Sequence, residues 1–154
     1  MSKKSAGLLA YRYKTTIEIL LVHPGGPFYK SKDSGVWSIP KGEYTEEDPL
    51  TTAKREFTEE TGNIIEDGNF IPLNDVILKS GKRISAWAVE IDFEECFISS
   101  NSFEIEWPPK SGKISSFPEV DKAEWFPISD AEQKIHIAQK DFLYQLETIL
   151  KNKS

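Results

Sequence analysis

Sulfur and imidazole are scarce in this sequence. Among 154 residues there is one cysteine, Cys96, and there are two histidines, His23 and His136. A single cysteine cannot form an intramolecular disulfide, and it excludes a zinc site built from several thiolates. A thiol nucleophile would need one of the two histidines as its partner, whereas a lone cysteine among apolar neighbours is more often a core residue. The sequence therefore points away from disulfide scaffolds, multi-cysteine zinc sites and thiol catalysis.

Long apolar runs and an excess of positive charge are also missing. The strongest apolar run, residues 19–22, is far too short to cross a bilayer, and no stretch of signal-peptide length follows the polar residues 1–5. We therefore expect a soluble, cytoplasmic protein with no membrane partner. The 19 basic and 25 acidic residues give a net charge of −6, which disfavours a nucleic-acid polymer as a partner because such binding depends on clustered Lys and Arg. A small phosphorylated ligand remains compatible if a divalent cation bridges it to the protein.

Local patterns predict a single domain over residues 1–154 that mixes strands and helices. No repeat, low-complexity tract or linker interrupts the chain. Apolar and β-branched runs predict strands, and apolar residues at helical spacing predict helices. The predicted strands cover residues 5–13, 17–23, 36–39, 70–78, 83–93, 103–107 and 124–126, and the predicted helices cover 49–61, a short segment capped by Ser129 or Asp130, and 141–150. This mixture indicates an α/β or α+β sandwich.

The helix predicted over residues 49–61 presents an unusual acidic edge. Asp48 is a good N-cap, Pro49 suits the first helical position, and Gly62 suits the C-terminal end. At about 100° per residue, Glu56, Glu59 and Glu60 fall within an arc of roughly 100°. Glu59 and Glu60 lie at the negative end of the helix dipole, and clustered carboxylate oxygens are what Mg²⁺ binds. The plainer alternative is an acidic face that is simply solvated.

The residues around this helix resemble the Nudix box. Gly42, Glu47 and the segment Arg55-Glu56-Phe57-x-Glu59-Glu60-x-Gly62 follow its order, and seven residues separate Glu47 from Arg55 as in the family. The segment 37–42 also resembles the strand and loop that lead into the box. The resemblance is to MutT-like members, and in particular to bacterial predicted nucleoside triphosphate pyrophosphohydrolases. It implies an α/β/α sandwich with a mixed central sheet.

Two positions depart from the family pattern. Only four residues lie between Gly42 and Glu47, one fewer than usual, which leaves the place of Gly42 open. Asn63 stands where the box ends in an apolar residue, and it could alter the turn after the helix. Neither departure removes a carboxylate, so we expect the catalytic apparatus to be intact.

The resemblance implies a role for each box residue. Glu56, Glu59 and Glu60 would bind Mg²⁺, with Mn²⁺ as a possible substitute, while Arg55 and Glu47 would orient the carboxylates. Family members differ in which carboxylate accepts the proton of the attacking water. Glu60 is one candidate, and Glu119 is another because residues 117–125 resemble the late acidic loop of members that cleave dinucleoside polyphosphates.

Substrate contacts are predicted from charge and from aromatic side chains near loops. Lys41, Lys79 and Arg83, together with Lys82, are basic residues near predicted loop or strand ends and suit phosphate oxygens. The aromatic residues that could stack on a base, although strand aromatics are more often core, are Trp37, Trp87, Phe28 and Tyr29. His23 ends a strand beside a Gly-Pro loop, and we expect it to be structural.

The resulting functional expectation is Mg²⁺-dependent hydrolysis of a diphosphate linkage by water. The substrate would be a small nucleotide-like molecule, either a nucleoside triphosphate or a dinucleoside polyphosphate. Two alternatives stay open: a nucleotide-binding regulatory module with little or no turnover, and an acidic interaction domain whose helix faces solvent. Retention of Glu56, Glu59 and Glu60 favours the enzyme over the regulatory module.

Overall fold

The computed structural model describes residues 3–65, 67–93 and 101–152. Within them the chain forms, in order, β1 Lys4–Tyr13, β2 Ile17–Pro24, β3 Lys41–Tyr44, α1 Pro49–Thr61, β4 Ile71–Pro72, β5 Val76–Ile77, β6 Arg83–Glu90, β7 Ser102–Glu106, β8 Ile114–Pro118, β9 Val120–Pro127, α2 Ile128–Lys134, a 3₁₀ turn Ile137–Gln139, and α3 Lys140–Lys151. None of the helices within these ranges has the length and apolar character needed to span a membrane.

The central sheet is mixed, as predicted. Its main order is β4-β6-β1-β2-β9. β1 runs parallel to β6 along its length but antiparallel to β2 at one end and to β3 at the other. β7 and β8 form a separate two-stranded hairpin.

Two apolar clusters cover the two faces of this sheet. On one face Leu8 and Ala10 of β1 pack with Ala53 and Phe57 of α1. On the opposite face Leu9 packs in the cluster that contains Phe142, Leu143 and Leu146 of α3. Alternate β1 side chains thus enter opposite layers, as the two-residue period of a strand requires. The predicted α/β/α sandwich with a mixed sheet is confirmed.

Helix α1 begins and ends where its signals indicate. Asp48 accepts a hydrogen bond from the Thr51 backbone N–H at 3.0 Å, and Pro49 begins the helix. Gly62 ends it in the left-handed conformation, with φ of 76°. Asn63, which stands where the family has an apolar residue, makes polar contacts with the end of the helix. Its Nδ2 donates to the Thr61 carbonyl at 3.1 Å, and its backbone carbonyl accepts from Thr58 Oγ1 at 3.0 Å.

Two strand predictions were wrong because the chain changes partners within them. Residues 36–39 make only isolated bridges, since the Trp37 N–H donates to the Lys134 carbonyl and the Ser38 N–H to the Val22 carbonyl. Residues 70–78 divide into β4 and β5 because the backbone between them leaves the sheet. There the Asn74 N–H donates to the Gln145 side chain of α3 at 2.7 Å.

Other boundaries also differ from prediction. Residues 41–44, which lie outside the predicted strands, form β3 because they pair with the start of β1, and β8 was not predicted either. β9 extends from Val120 where only residues 124–126 were predicted, and α2 begins at Ile128, directly after Pro127, rather than at a Ser129 or Asp130 cap. The strand predicted to Phe93 ends at Glu90, and Cys96 lies outside the described residues.

Candidate active site

The acidic edge of α1 lies against the start of β3. Gly42 is in contact with the Glu56 side chain so closely that a Cβ at this position would overlap the carboxylate. The Glu56 side chain is 16% exposed. The shortened connection between Gly42 and Glu47 therefore still places Gly42 beside the box helix. A larger residue at position 42 would force the Glu56 carboxylate to move from its place.

Arg55 joins three carboxylates. Its Nη2 lies 2.7 Å from Glu47 Oε1, and its Nη1 lies 3.1 Å from Glu56 Oε1 and 3.2 Å from Glu59 Oε1. Thr52 Oγ1 donates a second hydrogen bond to Glu47 at 2.8 Å. Hydrogen bonding to Glu47 raises the pKa of Arg55, and the same contact lowers the pKa of Glu47. Arg55 is thus held by Glu47 and in turn sets the directions of Glu56 and Glu59.

Glu60 occupies the least favourable electrostatic position of the set. Its Oε2 is buried and has no hydrogen-bond partner. Burial, followed by repulsion from Glu56, raises the pKa of Glu60 well above its usual value, although the backbone N–H and ammonium of Lys41 oppose the rise. Burial and repulsion from Glu59 likewise raise the pKa of Glu56. Both carboxyls lie where a positive charge would relieve a desolvation cost.

Glu119 approaches this cluster from the junction of β8 and β9. It is exposed, and its charge contributes to the raised pKa values of Glu56 and Glu60. Its backbone is anchored on both sides: the Glu119 carbonyl accepts from the Gly25 N–H at 2.9 Å, and its N–H donates to the Asn101 carbonyl at 2.7 Å. Glu119 thus lies within electrostatic range of the box helix although about 60 residues separate them in sequence.

The predicted basic residues divide into two groups. Lys41 faces the carboxylates, and burial together with the nearby charge of Lys82 lowers the pKa of Lys41. Lys82 Nζ lies 3.0 Å from Glu43. Arg83, by contrast, is exposed and pairs with Asp75 at 3.1 Å, and Lys79 lies exposed in the turn between β5 and β6. The structure therefore brings Lys41 to the cluster, places Lys82 near Lys41, and leaves Arg83 paired with Asp75.

A cavity of about 220 Å³ adjoins Lys41. We call it the first cavity. Tyr29, His136 and Gln139 are among the polar side chains that line it. His136 Nδ1 accepts a hydrogen bond from the Ala138 N–H at 3.1 Å, so its proton resides on Nε2. The sequence did not single out His136 or Gln139 for this role, because no local pattern connects residues about 100 positions from Lys41.

The other predicted aromatic contacts are mostly structural. Trp37 is 2% exposed and stacks edge-on with His23 at 5.1 Å between ring centroids, while Trp87 packs against the α1-side core. Phe28 is exposed and contacts Trp107. Among the predicted aromatic residues, Tyr29 lies in the wall of the first cavity.

His23 is structural, as expected, because both of its ring nitrogens contact other parts of the protein. Its Nε2 lies 2.7 Å from the Lys32 carbonyl oxygen, and its Nδ1 lies 2.7 Å from Asp121 Oδ1. The second contact ties Asp121, two residues after Glu119, to the end of β2.

The acidic cluster fits a divalent cation by its chemistry. Carboxylate oxygens are the donors that Mg²⁺ and Mn²⁺ prefer, and Glu60 contributes a buried oxygen with no partner. Across residues 3–65, 67–93 and 101–152, no three His, Cys, Asp or Glu side chains are arranged as a ready metal site. At this helix one oxygen of Glu56 and one of Glu59 are hydrogen-bonded to Arg55.

Comparison with known proteins agrees with the fold and the box. The family model of the NUDIX domain matches residues 1–146, so the chain belongs to the NUDIX family. Membership implies hydrolase activity, and hydrolases of this family generally use a divalent metal. A search of curated proteins found no match.

Solved structures show the same fold at low sequence identity. A Caenorhabditis elegans Ap4A hydrolase, solved as a binary complex, is 22% identical with a TM-score of 0.68, over 97% of this chain and 98% of that one. The NUDIX domain of Shewanella oneidensis NrtR, complexed with ADP ribose, is 15% identical with a TM-score of 0.69, over 97% and 89%. A mutT/nudix family protein from Listeria innocua is 17% identical with a TM-score of 0.66, over 98% and 95%.

Proposed function

We propose that this protein is a Mg²⁺-dependent hydrolase that cleaves a diphosphate linkage in a small nucleotide, either a nucleoside triphosphate or a dinucleoside polyphosphate. The observation that carries the proposal is the buried, unpartnered Oε2 of Glu60 beside Glu56 on the box helix. Two carboxyls that repel each other in a partly desolvated place cost stability. Binding of a cation is the function that accounts for such an arrangement in a NUDIX domain.

Three side chains would hold the cation: Glu56, Glu59 and Glu60. When bound, Mg²⁺ would polarise phosphate oxygens and lower the pKa of a bound water. Arg55 orients Glu56 and Glu59 through its hydrogen bonds, and Glu47 together with Thr52 fixes Arg55. Arg55 and Glu47 are therefore positioning residues, and neither needs to contact substrate.

Of the two candidate bases we favour Glu119. It is exposed at an anchored turn, whereas Glu60 would be occupied as a ligand of the cation. In hydrolysis a water oxygen attacks one phosphorus, the bond from that phosphorus to the bridging oxygen breaks, and Glu119 accepts the water proton. The leaving phosphate takes the electron pair of the broken bond.

Substrate binding would involve Lys41 and the first cavity. Lys41 lines this cavity and interacts electrostatically with Glu56 and Glu60, so its ammonium suits phosphate oxygens of a substrate bound at the cation site. Tyr29 would stack on a base or ribose, and His136 Nε2–H would donate a hydrogen bond. Lys82 and the exposed Lys79 would add attraction for the phosphate chain, while Arg83 would contribute only if it left Asp75.

The test is product analysis across a nucleotide panel with Mg²⁺ and with a chelator. Wild-type protein should release phosphate, pyrophosphate or a nucleotide only with the metal. Glu60→Gln should lower turnover by on the order of a hundredfold or more, since even indirect partners of metal ligands cost 10–100-fold. The matched control is Glu124→Gln, at an exposed glutamate of β9. Chelator-resistant turnover, or equal activity of the two variants, would contradict the proposal, whereas nucleotide binding without any turnover would favour a regulatory module.

A further inference from the structure

A second and larger cavity lies on the other side of the loop that follows β2. Its volume is about 570 Å³, against about 220 Å³ for the first cavity. Pockets for small ligands commonly have volumes of roughly 300–1,000 Å³. Pro24 and Tyr29 line the first cavity, whereas Gly26, Pro27 and Lys30 line the second. One short loop therefore separates two cavities.

The second cavity has an aromatic wall supplied by the β7–β8 hairpin. Trp107 and Phe117 line it, and Trp107 is held in place by an edge-on contact with Phe28 of the loop, at 5.4 Å between ring centroids. Gly26 brings the loop and hairpin together, because its φ is +98° and a Cβ there would lie 2.7 Å from the Phe103 ring. Aromatic contacts thus hold the hairpin against the loop, and the second cavity lies between these two packed segments.

The wall of the second cavity also carries one basic and one acidic side chain. Lys30 and Asp121 line the cavity together with the aromatic and proline side chains. An aromatic ring offers a stacking surface for any nucleobase, and base stacking on aromatic side chains is worth about 1–3 kcal/mol per base. A lysine at the same cavity suits the phosphate that follows the ribose.

A charged residue in or beside each cavity interacts with the acidic cluster. Lys41 lines the first cavity and lies within electrostatic range of Glu60. Pro118 and Asp121 line the second cavity, and between them in sequence is Glu119, whose charge acts on Glu56 and Glu60. A phosphate chain bound at the cluster would therefore have the first cavity on the side of Lys41 and the second on the side of Glu119.

We propose that the second cavity binds the second nucleoside of a dinucleoside polyphosphate, with Trp107 as the stacking residue and Lys30 beside its proximal phosphate. This inference rests on the proposed function and narrows it, because a mononucleotide would leave the larger cavity unused. The substrate class is then a molecule with two nucleosides joined by a phosphate chain.

The test compares two probes that share one phosphate chain, diadenosine tetraphosphate and adenosine 5′-tetraphosphate. Trp107→Ala should lower kcat/KM for the two-nucleoside probe about tenfold more than for the one-nucleoside probe, since 1.4 kcal/mol of lost stacking corresponds to tenfold. Tyr144→Ala, which removes an exposed ring from α3, should change neither value. If Trp107→Ala does not fold, Trp107→Leu, which keeps an apolar side chain in the cavity wall but removes the stacking ring, should show the same selective loss.

The outcomes separate this inference from the function on which it rests. A wild-type protein that cleaves both probes, combined with variants that slow both equally or neither, overturns the second nucleoside site and leaves the hydrolase intact. A wild-type protein that cleaves neither probe nor any nucleotide overturns both. A selective loss on the two-nucleoside probe supports the inference.

Discussion

Replacement of Glu60 by glutamine is expected to stabilise the fold while it abolishes activity. The substitution keeps the shape of the side chain and removes its charge. In the wild-type protein the Glu60 carboxyl is buried and lies near the negative charge of Glu56, and both effects raise the pKa of Glu60 well above 4.5. Activity and stability should therefore move in opposite directions at this one residue.

The expected gain follows from the buried oxygen. Glu60 Oε2 is buried without a hydrogen-bond partner, and such a group costs about 1–3 kcal/mol, with charged groups at the upper end. A neutral amide should recover part of this cost, so we expect the free energy of unfolding to rise by about 1–2 kcal/mol at neutral pH. For a chain of this size that corresponds to a rise in Tm of roughly 2–8 °C.

The gain in the free energy of unfolding from Glu60→Gln should increase with pH. Since the pKa of Glu60 is higher in the folded protein than in the unfolded chain, the folded state retains the proton over a range where the unfolded chain has lost it. The stability that protonated Glu60 contributes is therefore fully present below the unfolded pKa near 4.5 and is lost as pH rises through the folded pKa. The advantage of Glu60→Gln should be largest at pH 8 and should shrink as pH falls towards 5.

Urea unfolding without added metal, at pH 5, 6.5 and 8, measures this directly. Wild type, Glu60→Gln and the exposed control Glu124→Gln should be compared at each pH. Equal stability of wild type and Glu60→Gln at pH 8, or an advantage that does not change with pH, would refute the reasoning about the buried charge.

Three further outcomes follow from the same geometry. Gly42→Ala should reduce turnover at least tenfold but leave the protein folded, because a Cβ there would displace the Glu56 carboxylate. Full activity of this variant would contradict the contact between Gly42 and Glu56. Arg55→Lys should not restore the activity lost in Arg55→Ala, since an ammonium cannot bridge Glu47 and Glu59 as the guanidinium does, and steady-state kinetics decide this. His23→Gln should destabilise the fold by about 1–3 kcal/mol in urea unfolding, because a buried imidazole loses its contacts with Asp121 and the Lys32 carbonyl, and an unchanged unfolding free energy would contradict the structural role of these contacts.

The parts of the molecule that could be predicted from sequence are those with local signals. Asp48, Pro49 and Gly62 define the ends of α1 because caps act through neighbouring backbone groups. The acidic edge follows from the helical period once those ends are known. A helix of this kind can be placed without knowledge of anything it contacts.

The remainder depends on contacts between residues distant in sequence. β3 forms because residues 41–44 find the start of β1, and no local pattern marks that partner. Arg83 was a reasonable phosphate contact by charge, yet its pairing with Asp75 and the approach of Lys82 to Lys41 depend on the register of β6. The β7–β8 hairpin and both cavities likewise arise from packing between segments.

Calorimetric titration of the wild-type protein with Mg²⁺ and with Mn²⁺ tests the central claim most directly, because the claim is that a divalent cation binds at the carboxylates of Glu56, Glu59 and Glu60. We predict saturable binding that Glu60→Gln abolishes or weakens at least tenfold and that Glu124→Gln preserves. Absence of binding by the wild type, or equal binding by wild type and Glu60→Gln, would contradict the account.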